Sequence, residues 1–189
     1  MCDYISNMVE DFREYIKKDD YATIPAGNNI YERDDSPELD KKRAEEFHTF
    51  VAKALFACQR ARLDIHLAVA VLTTRVKNPN ETEWKKLIQL MKYCNKTKNE
   101  KLVLSIDNLH VLKWYIDSSF AIHPDFRSQT GGVMSFGKGA VQSISRKQKL
   151  NTKSSTISEL VAADDASTLI LWTKLFMEEQ GYKINKNIL

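Results

Sequence analysis

The sequence contains little of what marks several specialised classes of protein. Its 189 residues include three cysteines, six glycines and four prolines. Such low contents exclude a disulfide scaffold, a collagen-like chain and a low-complexity chain. The longest uncharged apolar stretch, 65–74, is far below the ~20 residues that a membrane-spanning helix needs. The N-terminus lacks the basic flank and apolar run of a secretory signal, and three scattered cysteines indicate a reduced intracellular compartment.

Charge is distributed unevenly along the chain. The net charge is +3, but residues 1–46 carry 7 Lys and Arg against 13 Asp and Glu, whereas the remainder carries 21 against 12. The stretch 126–158 contains several cations and no acid. Its cations include Arg146, Lys147, Lys149 and Lys153. Such a stretch can contact nucleic-acid phosphates, although many basic surfaces are only solvated and bind nothing.

Residues 40–100 show helical periodicity. They follow an acidic segment, 1–39, which is poorly periodic and is predicted to be rich in loops. One helix is predicted from about Asp40 to Ala57. A short buried helix follows over 65–75, with Asp64 as its N-cap. A third helix starts at the capping-box pattern Asn80–Glu83 and ends near residue 95.

Strand-like patterns replace helical ones over residues 101–189. The predicted strands are 102–106, 111–117, 132–136 and 140–144. Gly137–Gly139 is predicted to join the last two as a tight turn. Ser155 or Thr156 is expected to cap a long helix that ends at Gly181, and 183–189 is typical of a strand that is beginning. The fold class predicted is α+β, and a chain ending on an opening strand predicts an incomplete domain.

Two carboxylates form the strongest candidate site. Asp117 ends an apolar strand, and Glu159 lies one turn inside the long helix. Mg²⁺ takes oxygen ligands of this kind, typically one or two protein carboxylates with substrate phosphates. Two such ions about 4 Å apart can assist an in-line displacement at a phosphate. By spacing alone, simpler roles are favoured: a turn residue for Asp117, and for Glu159 the last residue of a capping box that begins at Thr156.

Other candidate residues give weaker signals. The four histidines have no companion at metal-ligand spacing, so with the scattered cysteines they form no zinc pattern. Trp84, Trp114 and Trp172 fall on apolar faces and are predicted to lie in the core.

A longer series of motifs resembles the polyproteins of copia-type retrotransposons. The segment Tyr115–Gly132 resembles the opening of their ribonuclease H domain, where an aspartate on the first strand precedes a Pro-Asp-x-Arg-Ser-x-Thr-Gly-Gly segment. Further motifs continue this resemblance in order: Gly137-Lys-Gly-Ala, Arg146–Thr156, Glu159-Leu, Leu171-Trp-Thr and Glu179-Gln-Gly-Tyr. The upstream part resembles the end of the same family's reverse transcriptase, in 44–48, 51–56, 60–62 and 74–79.

The resemblance implies roles for the two carboxylates. Asp117 and Glu159 would be catalytic metal ligands of a two-metal nuclease that uses Mg²⁺ to cleave the RNA strand of RNA–DNA hybrids. The family needs a third aspartate on the next strand and a fourth carboxylate further on, and the chain ends where that strand would start. Asp164 and Asp165 lie about 140° and 120° from Glu159 around the helix, at 100° per residue, so we exclude them as ligands.

We therefore interpret the chain as a fragment of such a polyprotein. Residues 40–100 would be thumb or connection helices of the reverse transcriptase, and 101–189 the N-terminal half of a ribonuclease H-like domain that is inactive alone. The expected partner is an RNA–DNA hybrid or other nucleic acid, bound through Arg146, Lys147, Lys149 and Lys153, with no membrane. The expected compartment is the cytoplasm, retrotransposon particles or the nucleus. A non-catalytic nucleic-acid-binding remnant and an unselected open reading frame remain open alternatives.

Overall fold

The computed structural model describes residues 1–188. The chain divides into two compact units, Met1–Lys101 and a second that begins at Leu102. The first unit is helical, and the second combines a sheet with one long helix. The chain is therefore α+β, as predicted. None of the helices within the described residues is long and apolar enough to cross a membrane.

The first unit is built from four helices. They are α1 (Cys2–Asp11), α2 (Lys41–Arg60), α3 (His66–Thr73) and α4 (Glu81–Thr97), with a 3-10 turn at Leu63–Ile65 before α3. The predicted helices after residue 40 are thus present. Their buried faces meet around aromatic side chains, since the Phe12 ring lies 4.6 Å from Phe50 and 5.8 Å from Trp84.

Helix α1 corrects the prediction of a loop-rich N-terminal segment. Ile5, Met8, Val9 and Phe12 recur at helical spacing and are almost completely buried in the core of this unit. The acidic composition concealed this pattern because acids occupy the exposed face of the same helix, as at Glu10. Residues 12–39 form turns and irregular segments, so the prediction holds only for that part.

The start of α4 is fixed by the predicted capping box. The side-chain oxygen of Asn80 accepts hydrogen bonds from the backbone N–H groups of Thr82 and Glu83, both at 3.0 Å. The Glu83 carboxylate accepts in return from the backbone N–H of Asn80, at 2.9 Å. The Asn80 amide also donates to the carbonyl oxygen of Asp34, at 3.1 Å. Asn80 therefore connects the helix to the segment that precedes α2.

Asp64 forms an ion pair and caps no helix, contrary to the prediction. The buried Arg62 guanidinium donates to the Asp64 carboxylate at 2.8 Å and to the Thr97 hydroxyl at 2.6 Å. The Tyr93 hydroxyl donates to the same carboxylate at 2.9 Å. Burial raises the pKa of Asp64, but the hydrogen bonds and charge of Arg62 outweigh burial and lower it below its ordinary value.

The second unit contains six strands and one helix. They are β1 (Ser105–Ile106), β2 (Val111–Ser119), β3 (Gln129–Ser135), β4 (Gly137–Lys138), β5 (Gln142–Lys147), α5 (Ser155–Glu179) and β6 (Lys186–Ile188). The main sheet has the order β5-β3-β2-β6, in which β3 is antiparallel to both β5 and β2, and β6 is parallel to β2. Helix α5 packs on one face of this sheet, against Leu112, Trp114 and Met134.

Several local predictions for this unit need correction. Gly137–Gly139 is not a tight turn, because Gly137 and Lys138 pair with Ser105 and Ile106 as a separate two-stranded sheet. Gly139 has φ +79°, and a Cβ atom there would lie 2.3 Å from the carbonyl oxygen of Val103, so the position requires glycine.

The cap of α5 is Ser154, and not Ser155 or Thr156 as predicted. Its side chain accepts a hydrogen bond from the backbone N–H of Ile157 at 3.3 Å.

The tryptophan predictions are correct at two positions and wrong at the third. Trp84 and Trp114 are buried in the two cores, but Trp172 is 56% exposed. Trp172 stacks on Phe176, with ring centroids 5.3 Å apart. The apolar pattern of α5 extends around most of the helix, so periodicity alone does not select the buried side.

We predict that Asn80→Ala lowers the free energy of unfolding by about 1–2 kcal/mol, because a buried cap and its two-way hydrogen bonds are lost. Chemical denaturation followed by circular dichroism measures this change. Asn78→Ala is the matched control, since Asn78 is exposed and makes no side-chain hydrogen bond within the described residues. Equal effects of the two substitutions would contradict the role of the capping box.

We also predict a pH-dependent contribution of Asp64. Because its pKa is lower in the folded chain than in the unfolded one, its stabilisation is complete above about pH 4 and is lost as the pH falls through the folded pKa. Asp64→Asn should cost on the order of 1 kcal/mol at neutral pH, since a side chain that is 39% exposed is partly screened by solvent.

The measurement is the difference in the free energy of unfolding between the wild type and Asp64→Asn at a series of pH values. This difference should shrink in acid. A difference that is the same at neutral and at strongly acidic pH would contradict the assigned ion pair.

Candidate functional site

The predicted site residues gather at one end of the main sheet. Here β2 ends at Ser119, β3 begins at Gln129, β5 ends at Lys147 and α5 begins at Ser155. Antiparallel neighbours bring these ends together, and we call this the site end of the sheet. It carries both predicted carboxylates and the four predicted phosphate-binding cations.

Glu159 contacts β2 through a serine. Its carboxylate accepts a hydrogen bond from the Ser118 hydroxyl, at 3.0 Å. The Ser118 and Ser158 hydroxyl oxygens lie 2.7 Å apart, and Ser158 donates to the carbonyl oxygen of Ser155. The capping-box interpretation of Glu159 is therefore wrong, because Ser154 is the cap and Glu159 interacts with the sheet.

Asp117 lies beside this contact in sequence but leaves β2 on the other face. Ser118 pairs in register with Thr130, whose hydroxyl donates to Asp165 of α5 at 2.8 Å, so these residues face the helix. Successive side chains of a strand point to opposite faces, and Asp117 is exposed. No group of three or more His, Cys, Asp or Glu residues suited to a metal occurs among residues 1–188. The described carboxylates thus do not fit a two-metal site by themselves.

Two of the four predicted cations are paired with acids. The Arg146 guanidinium lies 3.4 Å from the Asp165 carboxylate and also donates to the Asp165 carbonyl oxygen. Lys147 lies 2.7 Å from Asp125. Both acids lie outside the acid-free stretch 126–158, Asp125 directly before it and Asp165 on α5, so the sequence did not reveal the pairing.

The other two cations are free to meet a ligand. Lys149 and Lys153 are exposed and form no ion pair within the described part of the chain. They lie in the segment that joins β5 to α5, beyond the paired residues. The unpaired, exposed positive charge of the predicted cation set therefore lies on these two lysines.

A buried polar layer, which sequence reasoning missed, holds this segment in place. Gln148 is 1% exposed and donates to the Thr130 hydroxyl at 3.2 Å and to the carbonyl oxygen of Ser158 at 2.9 Å. Its backbone N–H donates to the carbonyl oxygen of Ser128, and the Ser128 and Thr152 hydroxyl oxygens are 3.2 Å apart. A glutamine between two lysines gives no sequence signal of burial, because its polarity is typical of a surface residue.

Comparison with known proteins relates the chain to a retrotransposon. It is 29% identical over 136 residues to the retrovirus-related Pol polyprotein from transposon TNT 1-94 of Nicotiana tabacum, covering 71% of the chain and 10% of that polyprotein. It is 29% identical over 112 residues to secreted RxLR effector protein 161 of Plasmopara viticola, covering 59% of the chain and 79% of that protein. No protein-family model and no solved structure matches the chain. The chain spans about a tenth of the Pol polyprotein, and this similarity supports a retrotransposon Pol origin.

Proposed function

We propose that the chain is a piece of a copia-type Pol polyprotein, in which the end of the reverse transcriptase is joined to the first part of a ribonuclease H domain. The parent activity is hydrolysis of RNA in RNA–DNA hybrids. One observation carries the proposal: β2, β3 and β5 form an antiparallel sheet, α5 crosses it, and β6 returns parallel to β2. By the motif resemblance, the parent domain carries its metal ligands on the first strand, on this helix and on the returning strand.

The similarity to a Pol polyprotein supports the proposal, and it does not favour a relic without function. The order of motifs along the chain supports it as well, since they span both units. We assign the helical first unit to the reverse transcriptase on the same basis. The cytoplasm or retrotransposon particles are the compartments that follow from this origin.

In this proposal magnesium belongs to the parent domain. The resemblance implies Asp117 and Glu159 as its ligands, but here Asp117 leaves β2 on the face opposite Glu159, so the two do not share a site in this structure. Bound Mg²⁺ would supply positive charge to the attacking and leaving oxygens at a phosphate. The described residues lack a complete ligand set, because the two carboxylates leave the sheet region on different sides. Strand β6 consists of Lys186, Asn187 and Ile188 and offers no carboxylate. We infer that this chain alone does not hydrolyse hybrids.

We predict that the purified chain gives no hybrid cleavage above background in Mg²⁺ or Mn²⁺. The physical reason is that two separated carboxylates cannot hold two ions opposite each other. A labelled RNA–DNA hybrid resolved on a denaturing gel measures cleavage, and Asp117→Asn controls for contaminating nuclease. Cleavage by the wild type that disappears in Asp117→Asn would overturn the inference and assign a complete site to this chain.

Binding of the hybrid is a separate part of the proposal. We assign phosphate contacts to Lys149 and Lys153, because they are exposed and unpaired, with smaller contributions from Arg146 and Lys147, which already interact with acids. Neutralised phosphates release counterions, so such binding weakens as salt rises.

We predict that the double variant Lys149→Glu/Lys153→Glu weakens hybrid binding and reduces the slope of log K against log salt by about 2, since each phosphate contact contributes about 0.9. Fluorescence anisotropy of a labelled hybrid across a salt series measures this slope. Lys183→Glu/Lys186→Glu is the matched control, because it makes the same change of charge at the opposite end of the sheet. Similar losses in both double variants would indicate a general charge effect and contradict the assigned contacts.

A further inference from the structure

The loop between β2 and β3, residues 120–128, has an unusual backbone. The two non-glycine residues with positive φ among residues 1–188 both lie in this loop, Ala121 at +51° and Phe126 at +59°. Side chains with a Cβ atom disfavour this region, and a bulky aromatic residue rarely adopts it. Such outliers persist where the surrounding structure fixes them, often at functional sites.

Hydrogen bonds hold the loop in this conformation. The backbone N–H of His123 donates to the carbonyl oxygen of Arg127 at 3.1 Å, and that of Phe126 donates to the carbonyl oxygen of His123 at 2.8 Å. The backbone N–H of Ala121 donates to the Ser128 hydroxyl, also at 3.1 Å. The loop is therefore closed on itself, and the His123 Nε2 atom lies 2.9 Å from Gln129 Oε1 at the start of β3.

The result of this arrangement is an exposed aromatic ring. Phe126 is 73% exposed, whereas Phe120 and Ile122 of the same loop are each 43% exposed. Burial of a phenylalanine side chain normally contributes to stability, and here the backbone directs the ring into solvent. The conformation does not improve packing of the unit, so it points to a ligand for the ring.

Cations surround the base of the loop. The Asp125 carboxylate lies 2.7 Å from Lys147 and 3.5 Å from Arg127, so one acid is shared by two cations that remain about two-fifths exposed. The contact of Ser128 with Thr152 holds the segment of Lys149 and Lys153 against the same loop. An apolar ring beside these cations is complementary to a nucleic-acid strand, which has aromatic bases and anionic phosphates.

We propose that Phe126 is a stacking site for an unpaired base of a nucleic-acid strand whose phosphates contact the neighbouring cations. This rests on the proposed binding of nucleic acid and adds a single-stranded ligand to it. Bases within a duplex already stack on each other, so the ring selects an unpaired base. Stacking on an aromatic side chain tolerates every base, so we expect little sequence preference.

The experiment compares Phe126→Asn with Phe126→Trp. Asparagine accepts positive φ and removes the ring, so the loop conformation is retained, whereas tryptophan retains an aromatic surface. Leu150→Ala is the control, since Leu150 is 62% exposed on the adjacent segment and has no ring. The probes are a labelled oligouridylate and a blunt RNA–DNA hybrid, measured by fluorescence anisotropy over a salt series.

We expect Phe126→Asn to weaken oligouridylate binding roughly 5- to 150-fold, with an unchanged salt slope, because stacking displaces no counterions. Leu150→Ala should bind with wild-type affinity, and Phe126→Trp should bind with wild-type or higher affinity. The blunt hybrid should be affected much less.

Wild-type affinity of Phe126→Asn for oligouridylate would overturn the stacking site while leaving the lysine contacts of the proposed function intact. A reduced salt slope in Phe126→Asn would also overturn it, because the loss would then be ionic. If sedimentation shows that the ring joins two copies of the chain and the variant only separates them, the ligand assignment is wrong. Absence of binding by the wild type itself would refute both proposals.

Discussion

The alternation of side chains along β2 determines which of its residues form the core of the second unit and which lie on the same face as Glu159. Alternate side chains from Leu112 to Ser118 face α5, where the apolar ones form the core and the serine meets Glu159. The intervening side chains, Asp117 among them, leave on the other face. Register is fixed by the burial of Trp114, since a shift by one residue would expose the tryptophan and bury a lysine or a tyrosine. The separation of Asp117 from Glu159 therefore follows from the same constraint that builds the core.

Electrostatics at the site end are more balanced than the composition of the acid-free stretch indicates. Asp125 and Asp165 neutralise cations that lie far from them in sequence or in another element. Each pair is partly exposed and so contributes little to stability. Their main effect is to hold Arg146 and Lys147 in defined positions and to leave Lys149 and Lys153 as the unpaired charges of the predicted set.

Sequence reasoning recovered the parts of the structure that depend on local rules. The Asn80 capping box, the start of α2 and the strand of Asp117 follow from short-range patterns, and the structure contains them. It failed where a tertiary contact determines which side chain is buried or which partner it has. The acids of α1 concealed a buried face. Asp64 accepts from Tyr93 of α4 and pairs with Arg62, whose guanidinium is held by Thr97 of the same helix. Trp172 lies on a helix that is apolar around most of its circumference. Gln148 was missed because its burial, and the two hydrogen bonds that its amide nitrogen donates, depend on the surrounding fold.

In the candidate site too, features set by local sequence patterns were predictable and features set by tertiary packing were not. The residue types and their elements were predictable, because strand ends and the first turn of α5 could be located from the pattern. Which face of β2 each residue occupies depends on the packing of α5, and the acids that pair with Arg146 and Lys147 depend on the sheet order. The strained loop of Phe126 had no signal in the sequence, since positive φ at a non-glycine residue is set by the hydrogen bonds around it.

The short strand β6 leaves most of one edge of β2 uncovered. It pairs only with Val111, Leu112 and Lys113, so the backbone groups from Trp114 to Ser119 have no strand on that side within the described residues. An unpaired edge next to an apolar core is a template for another strand. During synthesis the antiparallel part of the sheet can form before β6 emerges from the ribosome, and in that interval the whole edge is open to pairing with other nascent chains.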